Sequence, residues 1–330
     1  MTFPYADSKE ITKNNEKSAI KKAANITGFA FFMLTSVMVF WSVPVTVIIN
    51  LVAKRPDIVI KYLRDSTIVQ VIQICVSSIA FTFPFIIYSK MMGERLSDIA
   101  PYNKPKEKKL MFPLILMGLG VCGFSNAVVS GAGAILQNIG FRYDVKTTEL
   151  PTNVFGIILS FVATAITPAL VEEFAMRGAV MGALRRFGDS FAIITSALIF
   201  GLMHGNLVQV PFAFILGLFF GFAVIKTGTI WTAVIIHFLN NLFSISFSYI
   251  LSNSKGLVVW FANIFYFIFL LALGFVGFLL YFNKGEDTFS LDNKTEVLTV
   301  KEKLISFLTA PWIIISFVIV LLESFFVYRA

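Results

Sequence analysis

Apolar residues run through this chain in long blocks, broken by short polar interruptions. The blocks lie near 26–52, 68–89, 110–139, 153–184, 190–208, 210–226, 229–252, 257–282 and 305–327. Several exceed the roughly 18 consecutive apolar residues that mark a membrane-spanning helix. The pattern predicts an all-α polytopic membrane protein, a bundle of about eight or nine transmembrane helices. Two interruptions are short enough to be turns between antiparallel helices. One is "RRFGDS" (Arg185–Ser190), and the other lies around Asn206, Gln209 and Pro211.

Composition agrees with the pattern. Charged residues make up 14% of the chain, against about 25% in soluble domains. Charge placement adds orientation. With the N-terminus inside, the inside segments hold 18 Lys and Arg and the outside segments 8. That asymmetry predicts a cytoplasmic N-terminus. It also explains the net charge of +8 without a nucleic-acid partner; membrane lipids are the expected neighbours of the basic loops. The 53–67 loop is basic on the side that should be poor in cations, and is expected to lie on the surface as an amphipathic helix. Cys75 and Cys122 both sit in apolar runs and predict free thiols. The expected organisation is a polar cytoplasmic tail over 1–25, N-terminal helices over 26–149, a chemically distinctive core over 150–252 and C-terminal helices over 253–330.

That core is distinctive because ionisable groups lie deep in its hydrocarbon runs, and such groups are functional hypotheses by default. The deep set is Glu172, Glu173, Arg177, His204 and His237, with Asn240 and Asn241 beside His237. Both histidines of the chain belong to it. Glu173 and Arg177 are four residues apart on one helical face and can pair. Glu172 is rotated about 100° from Glu173, which leaves it without a local counter-charge. Residue 188, at the centre of the "RRFGDS" turn, is midway between 172 and 204. In an antiparallel hairpin Glu172 and His204 therefore reach the same depth, about 20 Å from the turn at 1.5 Å per residue. His237 and Asn241 share a face of a later helix, and Phe200 shares one with His204.

A carboxylate and an imidazole at one point can hold a water and take its proton. A second imidazole and an amide can donate to a developing oxyanion. Those parts suit peptide-bond hydrolysis by an activated water. A buried ion-pair network that only locks helices together is the plainer alternative for the carboxylates and Arg177.

The motifs "EEFAMR" (Glu172–Arg177), "FGLMH" (Phe200–His204) and "HFLNN" (His237–Asn241) stand in the order EExxxR, FxxxH, HxxxN. In this the chain resembles the CPBP family, the type II CAAX prenyl endopeptidases and their bacterial relatives linked to bacteriocin processing and self-immunity. The resemblance covers roughly 150–250. It implies an intramembrane glutamate protease acting on a membrane-associated peptide or protein. Glu172 and His204 would activate water, His237 and Asn241 would form the oxyanion site, and Glu173, Arg177 and Phe200 would support them. No cofactor is expected. If a metal such as zinc were used, its ligands would be Glu172, His204 and His237, but the histidines lie on separate helices with no HExxH pattern. The alternative function is a non-enzymatic immunity or signalling scaffold of the same family.

Overall fold

The computed structural model describes residues 8–40, 66–138, 150–205, 209–284, 290–291 and 297–329. Among these residues every regular element is helical. We number the main helices α1 (Ser8–Phe40), α2 (Ser66–Met91), α3 (Lys108–Asn138), α4 (Val154–Phe187), α5 (Asp189–Leu202), α6 (Gln209–Thr227), α7 (Trp231–Leu251), α8 (Leu257–Phe282), α9 (Val300–Leu308) and α10 (Pro311–Arg329).

Each of the nine apolar blocks has a helical counterpart. Among the described residues seven helices are long and apolar enough to cross a membrane, and α9 with α10 form a further pair bent by 67°. The remaining block, α5, has only 14 residues. At 1.5 Å per residue it reaches about 21 Å, short of a hydrocarbon core of about 30 Å. The chain is an integral membrane protein. The surface loop foreseen at 53–67 lies outside the described residues, apart from its last two positions at the start of α2. Asn206 also falls outside them. The stretch expected to be a polar tail is helical from Ser8 onward, and the buried Ile20, Ala23 and Ala24 pack this part of α1 into the bundle. Cys75 and Cys122 are free, as expected.

Lipid tails are as apolar as leucine, so helix association in a membrane depends on close packing and polar contacts. Here α3 lies along α8 and α6, α5 along α6, and α1 along α2 and α10. Between α3 and α8, a Cβ on Gly120 would come within 2.5 Å of the Gly274 Cα. The two backbones touch there, and no larger residue fits.

The element that matters most for chemistry is α4. It is a 34-residue rod capped by Asn153, whose side chain accepts from the Gly156 amide at 2.7 Å. Its winding is not uniform. It widens to π-helix at Val162–Ile166 and again at Phe174–Met181, and single π-turns of this kind occur often at functional sites. The rod ends in Arg185–Phe187, and Gly188 at φ 109° turns the chain into α5. The helical hairpin therefore closes at the residue midway between Glu172 and His204.

Candidate active site

Glu172 and Glu173 are the last two residues before the second π-segment of α4. Their rotation about the helix axis gives them different surroundings. The Glu173 and Arg177 side chains are fully buried, whereas that of Glu172 retains 16% of its exposure.

Arg177 is held from several directions. Its Nη1 donates to Glu173 Oε1 at 3.4 Å, and its Nη2 donates to the Gly217 carbonyl of α6 at 3.2 Å. Its Nε lies 3.2 Å from Glu173 Oε2, close enough for ion pairing but out of line for a hydrogen bond. The guanidinium also lies 4.4 Å from the Phe200 ring centroid and 5.2 Å from that of Phe220. Aromatic faces attract a desolvated cation by about 2 kcal/mol, so the rings offset part of the cost of burying this charge. The backbone carbonyl of Gly217 is within reach because Gly217 has no side chain. A Cβ there would meet the Ala197 Cα at 2.8 Å and Arg177 Nη2 at 3.3 Å.

Glu173 makes a second contact, with His237 of α7. The His237 Nδ1 lies 2.9 Å from Glu173 Oε1. A carboxylate accepts, so Nδ1 carries the proton and the opposite nitrogen, Nε2, faces Glu172 Oε2 at 4.0 Å. One imidazole thus lies between both members of the "EE" pair. Its ring is perpendicular to Phe200 with centroids 6.0 Å apart, and 5.7 Å from Phe220.

His204 follows the end of α5, where the helix stops at Leu202 and Gly205 takes φ 62°. Its Nδ1 lies 2.9 Å from the Phe200 carbonyl. A carbonyl oxygen only accepts, so this nitrogen carries the proton and Nε2 is left as an acceptor in the neutral ring. Phe200 packs edge-on to His204 at 5.3 Å, so it touches both histidines and Arg177. Asn241, one turn beyond His237, donates from Nδ2 to the Thr164 carbonyl of α4 at 3.0 Å, and its Oδ1 accepts from Asn240 Nδ2 at 3.0 Å. The Thr164 carbonyl belongs to the first π-segment of α4.

Residues 154–243 match the family model described as type II CAAX prenyl endopeptidase Rce1-like. The match spans α4 to α7 as far as Phe243 and includes every site residue described so far. Over these residues the chain is similar to that family. Two bacterial relatives agree with the placement. The chain is 26% identical over 133 residues to YdiL of Bacillus subtilis strain 168, to which a membrane peptidase activity is ascribed. That alignment covers 40% of this chain and 51% of YdiL. The chain is 27% identical over 172 residues to the membrane-embedded CAAX protease MroQ of Staphylococcus aureus strain USA300, covering 49% of this chain and 68% of MroQ. It thus spans about half the length of the first of these relatives. No solved structure matches it.

The structure gathers Glu172, Glu173, Arg177, Phe200, His204, His237, Asn240 and Asn241 between α4, α5 and α7, with one difference in arrangement. Sequence depth put Glu172 opposite His204, whereas the charged-group contact of Glu172 across helices is with His237. Three further contributors carried no sequence signal of their own: Phe220, the Gly217 carbonyl and the Thr164 carbonyl. The two carbonyls are invisible to side-chain patterns, and Phe220 is one of 37 phenylalanines.

The alternative metal ligands are Glu172, His204 and His237. His237 gives one nitrogen to Glu173, and its other nitrogen is 4.0 Å from Glu172. No three His, Cys, Asp or Glu side chains among the described residues are grouped to hold a metal ion.

Proposed function

We propose that the protein is an intramembrane endopeptidase. It would hydrolyse a peptide bond of a membrane-associated peptide or protein, with its N-terminus on the cytoplasmic side of a bacterial plasma membrane. The observation that carries this reading is the unequal fate of the two glutamates. Glu173 is committed to Arg177 and His237, while Glu172 keeps a partly open carboxylate beside an oriented imidazole.

In the proposed reaction a water is held by Glu172 and by Nε2 of His204. Its oxygen attacks the peptide carbonyl carbon as its proton passes to Glu172. The carbonyl π-electrons move to oxygen, and that oxyanion takes hydrogen bonds from His237 and from the second N–H of the Asn241 amide. Collapse of the intermediate breaks the C–N bond, and the proton held by Glu172 goes to the leaving amine. The products are a carboxylic acid and an amine, which after proton exchange are a carboxylate and an ammonium. Because Nδ1 of His237 already donates to Glu173, Nε2 donates only when the ring is an imidazolium, and the carboxylates on either side are the counter-charges for that cation. No metal takes part in this reaction.

The test compares the membrane peptidomes of cells carrying the wild-type chain and Glu172→Gln, with and without a zinc chelator. Expected is accumulation of uncleaved substrate with Glu172→Gln at unchanged membrane expression, and no effect of the chelator. Identical peptidomes would refute the protease reading and favour the scaffold alternative. Chelator-sensitive cleavage restored by zinc would replace the metal-free scheme.

A further inference from the structure

We propose that a cavity at the basic end of the bundle, away from the catalytic cluster, binds the phosphodiester headgroup of an anionic lipid. The cavity, about 440 Å³, lies between α1, the end of α2 and the turn that closes the α4–α5 hairpin. Its polar lining consists of Lys22 and Arg186, and its apolar lining includes Ala23, Ile26, Met91 and Met92.

Three observations point to a lipid rather than to a solvated pocket. First, no acidic side chain among the described residues lines the cavity, and Lys22 forms no hydrogen bond or ion pair with a described residue. Second, Arg186 is only lightly engaged. One nitrogen lies 3.3 Å from Glu94 Oε1, and the guanidinium lies 5.0 Å from the Phe187 ring centroid. A guanidinium has five N–H donors, so most remain for a phosphate oxygen. The nearby carboxylates are occupied, Glu94 by Arg186 and Glu16 by Lys303 at 2.9 Å. Third, the volume is large for an anion alone. A water occupies about 30 Å³, so a free phosphate would leave most of the cavity to be filled along methionine, alanine and isoleucine walls. A lipid supplies both parts, a phosphodiester at the mouth and hydrocarbon within. Lys17, Lys21 and Lys90 stand within two residues of lining positions along their own helices and add to the local positive potential. Basic pockets between helices at a membrane face are a recurrent way of holding anionic headgroups.

The site also touches the hairpin. Phe187 is part of its lining, and the Phe187 carbonyl accepts from Lys303 Nζ at 2.7 Å. A bound lipid would brace the same turn from the other side. The inference does not depend on the hydrolytic reading.

The experiment is native mass spectrometry of the purified full-length chain in detergent. It is titrated with dioleoylphosphatidylglycerol, with dioleoylphosphatidylcholine and, separately, with inorganic phosphate. The wild type is expected to retain one phosphatidylglycerol in preference to phosphatidylcholine. Lys22→Gln should weaken that binding about fivefold, the scale expected for one basic residue at an anionic surface. Ala19→Trp, which fills the cavity and leaves its charge intact, should abolish the preference. Lys104→Gln, on a basic loop elsewhere, should change nothing. Unaltered phosphatidylglycerol binding in both Lys22→Gln and Ala19→Trp would overturn the proposal. So would inorganic phosphate binding that competes at equal affinity and is lost with Lys22, since that result would make the ligand a soluble anion.

Discussion

Replacing Arg177 with methionine should destabilise the bundle by about 3–5 kcal/mol, the range found when one partner of a buried ion pair is removed. The structure supplies the reason. Arg177 and Glu173 are both fully buried, and without the guanidinium Glu173 keeps only the His237 Nδ1 contact at 2.9 Å. The Gly217 carbonyl also loses its donor, and Phe200 and Phe220 lose the cation they flank. Glu173→Gln alone should cost a similar amount, because then the arginine is the uncompensated charge.

The informative chain is the double variant Glu173→Gln with Arg177→Met. It has no orphaned charge, and the glutamine carbonyl can still accept from His237. Its destabilisation should fall well below the sum of the single values, with a coupling of about 2–3 kcal/mol, near the top of the range for residues in direct contact. Equilibrium unfolding in detergent of the four chains gives this coupling directly. Additive single effects would refute the idea that Glu173 and Arg177 act as one neutral unit, and would leave Arg177 as a packing residue.

Other variants probe neighbouring links. Gly217→Ala places a methyl group 2.8 Å from the Ala197 Cα and 3.3 Å from Arg177 Nη2; overpacking of this kind costs about 1–3 kcal/mol, read in the same unfolding assay. Asn241→Ala should lower kcat about 10²–10³-fold with KM little changed, as for loss of one oxyanion donor; a rise in KM at constant kcat would instead place Asn241 in substrate binding. Lys303→Met removes a fully buried cation from Glu16 and from the Phe187 carbonyl; it should cost about 1–3 kcal/mol and speed hydrogen exchange at the Arg185–Gly188 turn.

The hairpin was legible in the sequence because its determinants are local. The polar "RRFGDS" interruption separates two apolar runs, and Gly188 takes the positive φ that the turn needs. The Glu173–Arg177 pair was legible for the same reason, since four-residue spacing survives into the start of the π-segment. The cross-helix partner of Glu172 was not. Depth along two helices fixes height but not rotation, and α4 changes its winding over Phe174–Met181 with no proline to mark the change. Small-residue stretches were equally ambiguous. "GLFFG" provides the Gly217 contact to Arg177, whereas a Cβ on Gly131 or Gly133 of "SGAGA" would meet no described residue within 4 Å. Composition cannot distinguish a glycine that admits a neighbour from one that does not.

In the proposed mechanism the two adjacent glutamates divide the work, Glu173 as framework and Glu172 as the reactive group. A carboxylate that performs proton transfer must keep access to water and substrate, so it cannot also be neutralised by a tight ion pair. An exposed carboxylate with no framework, in turn, would not be held at a fixed distance from an imidazole. Successive helical positions differ by about 100° in rotation, which is enough to bury Glu173 against Arg177 and His237 while leaving Glu172 partly open. Arg177 then acts at a distance, because the charge that fixes Glu173 also fixes the His237 ring whose free nitrogen faces Glu172. On this basis Glu172→Gln should abolish cleavage with little loss of stability, and Arg177→Met should lose both together. If Arg177→Met lost stability but kept full turnover in the surviving folded fraction, the ion pair would have no part in positioning the imidazole.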